Sequence, residues 1–113
     1  QQVESTTVAL NTIVTVNHTA NTNKYYQTVV PNPQDDQILL ITVASDIQSY
    51  IDIFVITSDS PNFVNGTWPD WSSFTQECFY ASLDTCAIKM PSASSLPDGQ
   101  TNLTVYITVN IGN

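Results

Sequence analysis

The stretch Thr101–Asn113, TNLTVYITVNIGN, decides how this chain is read. Val105, Ile107, Val109 and Ile111 alternate with Tyr106, Thr108 and Asn110, the period of two that a strand with one buried face requires. A turn and a partner strand are expected after such a strand, and the sequence ends at Asn113. One side of this last ladder is therefore expected to lie open.

Working outward, the same chemistry recurs. Thr7–Leu10 and Thr12–Val16 are rich in Thr, Val and Ile and predict one strand kinked at Asn11, followed by a turn in NHTANTN. Lys24–Val30 (KYYQTVV) predicts a strand ended by PNP, because Pro31 and Pro33 have no N–H to donate to a ladder. Asp35 and Asp36 open QILLITVAS (37–45), whose nearly unbroken apolar run predicts a central strand. In YIDIFVITS (50–58), Ile51, Ile53 and Val55 share one face while Asp52, Phe54 and Ile56 share the other. Two apolar residues on that second face predict cover on both sides at one end. Residues 58–73, SDSPNFVNGTWPDWSS, read as a loop by their Pro, Asn, Gly and Ser. SFTQECFYASL (73–83) reads as a short helical turn, TCAIKM (85–90) as a short strand and PSASSLPDG (91–99) as a loop. Seven to eight short strands without a long helix predict an all-β chain. The expected architecture is an antiparallel β-sandwich of jelly-roll or immunoglobulin-like kind, a single domain over residues 1–113.

Composition narrows the function. Lys24 and Lys89 are the only cations against ten acids, for a net charge of -8, and only 11% of the residues are charged. Two cations cannot displace the counterions of a phosphate backbone, so nucleic acid is excluded as a partner, as is attraction to an anionic membrane. No apolar stretch reaches the roughly 18 residues of a membrane-spanning helix. A surface built from Thr, Ser, Asn and Gln suits an extracellular protein. Three N-x-S/T sequons, at Asn17, Asn65 and Asn102, point the same way, although a chain this rich in Asn and Thr also produces sequons by chance. Beginning at Gln1-Gln2 rather than Met is expected of a mature form whose leader has been removed. Cys78 and Cys86, the only cysteines, have seven residues between them and in a secreted chain are expected to form a disulfide clipping a short loop.

The order KYYQTVVPNP (24–33), YIDIFVITSDSPN (50–62) and NGTWPDWSS (65–73) resembles the pre-peptidase C-terminal domain, a jelly-roll-like extracellular module appended to secreted proteases. In that family a Tyr-Tyr strand, a strand of the form Asp-Leu-Tyr-Val and a YIxV-like strand follow one another. Here Lys24–Val30, Asp52-Ile53-Phe54-Val55 and Tyr106-Ile107-Thr108-Val109 stand in those places, and the likeness runs from about Thr7 to Val109. The resemblance implies an ancillary role in binding, secretion or stability, with calcium bound in some members. Family members usually close the sheet with a further strand after the YIxV strand. This sequence has none, so the sandwich is expected to be one strand short.

Candidate sites follow from the residue types. Calcium needs six or more oxygen ligands, and Asp35, Asp36, Asp46 and Asp52 are the acids at strand edges, with Asp46 and Asp52 the weak candidates. They lack EF-hand spacing, and solvated turn acids are the plainer expectation, so neither metal nor other cofactor is expected. A Ser-His-Asp triad would have to use His18, the only histidine, which lies inside a sequon. No catalysis is expected. Trp68 and Trp71 either cap the end of the core or form a stacking platform for carbohydrate.

An uncovered edge rich in Val and Ile invites another strand. With Val105, Ile107 and Val109 as the acceptor edge, the segment QQVESTTVAL (1–10) is the natural donor from a neighbouring subunit. Val3, Val8 and Leu10 would seat in the partner's groove, and the intersubunit strand would run over Val3–Val16. Head-to-tail donation that does not close a ring generates a filament. The expectation is a secreted, glycosylated, non-catalytic subunit of an extracellular fibre or surface coat. The alternative is a carbohydrate- or matrix-binding ancillary module of a larger secreted protein.

Overall fold

A computed structural model of the chain describes residues 5–19, 21–45, 50–70, 76–81 and 83–112. Its regular structure is almost entirely β: β1 (Thr6–Thr7), β2 (Thr22–Pro31), β3 (Ile38–Ala44), β4 (Tyr50–Thr57), β5 (Gln76–Ala81), β6 (Leu83–Lys89) and β7 (Asn102–Gly112). Two single 3-10 turns, Ala93–Ser95 and Pro97–Gly99, are the helical pieces among the described residues. The strands form two sheets, one in the order β1-β2-β7-β4-β5 and a two-stranded one of β3 and β6. All pairings are antiparallel except the two-residue contact of β1 with β2.

The alternation of β7 names its buried face correctly. Leu103, Val105, Ile107 and Val109 are buried and face the same side as Ile51, Ile53 and Val55 of β4. Cys86 and Ile88 of β6, with Met90 and Leu96 beyond it, join them in one cluster. Leu39, Ile41 and Val43 of β3 pack against that cluster half-buried, so the core is shared by both sheets.

The expected edge position of β7 is wrong. β7 is paired along its length with β2, from Asn102↔Pro31 to Ile111↔Thr22, and with β4, from Val105↔Thr57 to Gly112↔Tyr50. Val105, Ile107 and Val109 therefore belong to a central strand and offer no acceptor edge. Alternation reports which face of a strand is buried and carries no information about the strand's neighbours.

Three other elements differ from expectation. The apolar run of β3 is not central, because its only pairing among the described residues is with β6, and Ile38 and Leu40 are 64% and 65% exposed on its outer face. The helical turn expected over 73–83 is replaced by β5, which pairs with β4 from Gln76↔Val55 to Ala81↔Tyr50. The strand expected over Thr7–Leu10 and Thr12–Val16 shrinks to Thr6–Thr7, so Val8 and Leu10 lie outside it and residues 8–19 form no strand. The kink at Asn11 is present, with φ at 61°. Asn21 and Asn32 also have positive φ, a conformation asparagine tolerates better than most residues, so part of the Asn content serves turns.

Candidate assembly surface

The segment between β1 and β2 is the least satisfied apolar stretch of the described chain. Val8 N–H donates to the Gln27 carbonyl at 2.9 Å, which fixes one end against β2. His18 Nε2–H donates to the Thr22 carbonyl at 2.7 Å, which fixes the other. Between these anchors Leu10, Val14 and Val16 are exposed, and Ile13 is 96% exposed. Residues 5–23 hold no Asp, Glu, Lys or Arg. A solvated loop is ordinarily kept in water by charge or small polar residues, and this one presents β-branched apolar side chains instead. Val3 lies outside the described residues.

A second apolar surface belongs to β3. Its register with β6 sets Ile38 opposite Lys89 and Leu40 opposite Ala87 on the outer face. Leu39, Ile41 and Val43 turn to the core yet stay only half-buried. The remaining half-buried apolar residues on the core's margin are Tyr26 of β2 and Ile111 of β7. Partial burial pushes the Tyr26 phenol above its ordinary value. Two strands cover a five-stranded sheet incompletely.

The opposite face of the larger sheet is roofed by the loop that follows β4. Phe63 stacks on Tyr106 with ring centres 5.1 Å apart, and Trp68 meets Tyr106 edge-on at 5.3 Å and Tyr25 at 5.2 Å. Ser58 N–H donates to the Thr104 carbonyl, and Thr104 N–H donates to Ser58 Oγ, fastening the start of this loop to β7. Phe54 and Ile56 are buried although they face away from Ile53 and Val55, so β4 is covered on both sides as its sequence predicts. Trp68 thus lies on the outer face of the sheet, not at the end of the core. Trp71 lies outside the described residues.

The other candidates stand as follows. Asn17, Asn65 and Asn102 are all exposed, in the β1–β2 segment, in a turn completed by Gly66 at φ 87°, and at the first position of β7. Asp35 and Asp36 are exposed in the turn before β3, and Asp52 is half-buried on β4. Asp46 lies outside the described residues, among which no three His, Cys, Asp or Glu are brought together as a metal site. Cys86 is wholly buried and disulfide-bonded, and it stands opposite Ile41 in the smaller sheet. Cys78, the chain's only other cysteine, stands opposite Ile53 in the larger sheet; its side chain lies outside the described residues. No helix among the described residues is long and apolar enough to cross a membrane. The exposed run at 10–16 was visible in the sequence as Thr/Val/Ile content, but as a strand. The edge of β3 that carries no strand among the described residues was hidden by an apolar run that resembles a buried strand. Comparison with known proteins finds no family model, no curated protein and no solved structure that matches this chain.

Proposed function

We propose that this chain is a secreted, N-glycosylated, non-catalytic β-sandwich whose copies assemble head to tail into an extracellular filament or surface coat by strand donation. The observation that carries the reading is the uncharged segment between β1 and β2, whose Leu10, Ile13, Val14 and Val16 face solvent. Such a segment gains free energy by adding to a sheet edge of another copy, where main-chain hydrogen bonds supply affinity and alternate side chains find pockets. The sandwich is supported by the core cluster drawn from both sheets, and secretion by the sequons, the disulfide-bonded Cys86 and the scarcity of charge. The Cys78–Cys86 pairing is part of the same proposal.

Electron microscopy and light scattering of the native material test it. Regular filaments built from subunits heavier than the bare 12.4 kDa are expected. Ile13→Asp and Val14→Asp, both at exposed positions, are expected to abolish assembly while leaving the melting temperature of the monomer unchanged. A uniform monomer at working concentration in the unmodified protein sinks the filament.

The aromatic roof supports a second reading. Tyr25, Trp68, Tyr106 and Phe63 form a connected ring cluster of the kind on which sugar rings stack, which fits a carbohydrate- or matrix-binding ancillary module and the resemblance to the pre-peptidase C-terminal domain. In that case tryptophan emission changes on adding polysaccharide.

A further inference from the structure

Resting on the strand-donation reading, we infer that the donated strand is Thr12–Val16 and that its acceptor is the open edge of β3 in a second copy, where it becomes the third strand of the two-stranded sheet.

The acceptor is located by elimination among edges and by the shape of the core. β7 is excluded because it is paired on both sides. β5 ends at Ala81 and β6 begins at Leu83, so β6 lies against β5 and β4 at one side of the larger sheet. β3, the only strand paired with β6 among the described residues, packs against the shared core. Its second edge carries no strand among the described residues. Leu39, Ile41 and Val43 of β3 stay half-buried against the core, as do Tyr26 of β2 and Ile111 of β7. A strand added at that edge would widen the smaller sheet. Residues 37–45 include no charge and no proline, so β3 lacks the devices that keep edge strands apart.

The donor matches this edge in chemistry. Thr12, Ile13, Val14, Thr15 and Val16 are all β-branched, the residue class that fits a pleated ladder best. Asn11 at φ 61° separates them from Thr6–Thr7, which their own chain already uses on β2. The anchors at Val8 and His18 hold the two ends of the segment beside its own β2, and Ile13, Val14 and Val16 between them are exposed. Val14 and Val16 would then continue the inner face beside Ile41 and Val43, and Ile13 would continue the outer face beside Leu40. Two copies at a net charge of -8 each repel, and these two uncharged stretches can meet without bringing carboxylates together.

Cysteine trapping tests the pairing. Copies carrying Ile13→Cys are mixed under assembly conditions with copies carrying Leu40→Cys, then oxidised. A cross-linked dimer is expected in this mixture and not when Asp59→Cys, in the exposed loop after β4, replaces Leu40→Cys. Equal cross-linking with Asp59→Cys, or a link that forms only within one chain bearing both Ile13→Cys and Leu40→Cys, overturns the pairing. Leu40→Lys, at an exposed position, provides a second arm. It is expected to raise the concentration needed for assembly about tenfold or more with the melting temperature unchanged. Assembly lost in Ile13→Asp but unaffected by Leu40→Lys overturns the β3 acceptor and leaves strand donation standing. Assembly unaffected by Ile13→Asp overturns both.

Discussion

Thr28 is a polar residue in an apolar position. It stands opposite Val105 on the core face of β2, between Tyr26 and Val30, and is 6% exposed. Its Oγ1 has no hydrogen-bond partner among the described residues. A buried hydroxyl without a partner loses its water contacts and regains nothing, a cost of about 1–3 kcal/mol by mutational measure. Valine has nearly the same shape and no hydroxyl. Thr28→Val is therefore expected to stabilise the domain by about 1 kcal/mol, read as a higher urea midpoint at constant slope. A lower midpoint would mean that the hydroxyl has a partner after all. At this scale the sequence was legible wherever alternation was strict. Ile51, Ile53, Val55, Val105, Ile107 and Val109 are buried as their period requires. Thr28 shows the limit, because a β-branched polar residue fits either face of a strand and its burial is decided by what lies opposite.

Elements were legible in their existence and less so in their neighbours. β2, β4, β6 and β7 lie close to where Thr, Val, Ile and aromatic content predicted them, whereas β5 did not. Gln76, Glu77 and Ala81 are helix formers by propensity, and the pairing of β5 with β4 overrides them. That pairing also changes the expected role of the cysteines. Register sets Cys78 in the larger sheet and Cys86 in the smaller one, so a bond between them ties two sheets together at the β5–β6 corner. Reduction, or the double substitution Cys78→Ser with Cys86→Ser, is expected to cost about 2–3 kcal/mol in chemical denaturation. No loss on reduction would show that the corner is held without it. The loop after β4 yields a prediction of the opposite kind. Trp68 is half-buried and packed against Tyr25 and Tyr106, so it is already satisfied by protein contacts. Titration with soluble polysaccharides is expected to leave tryptophan emission unchanged. Quenching that Trp68→Ala removes would transfer the argument to the binding module.

In the assembly proposed above, the opposing interaction at the scale of the whole molecule is charge. Ten acids against two lysines give each copy a net charge of -8, and none of that charge lies within residues 5–23 or 37–45. On the proposed assembly, attraction between copies would come from short-range apolar and main-chain contacts, and repulsion from the carboxylates elsewhere in the chain. The two have different ranges. Repulsion between exposed charges extends over roughly 30 Å at 0.01 M salt and about 8 Å at 0.15 M, whereas the apolar contact is insensitive to screening over this interval. Salt therefore weakens the opposing interaction and spares the favourable one. Assembly is expected to begin at a lower protein concentration as sodium chloride is raised from about 0.01 M to 0.15 M, and lowering the pH toward the sequence pI of about 4.1 is expected to act in the same direction. Light scattering across a salt series at pH 7 measures it directly. The opposite trend, assembly that falls as salt rises, would mean that copies are held by ion pairs. Lys24 and Lys89 would then be the contacts to substitute, and the apolar edge would lose its role.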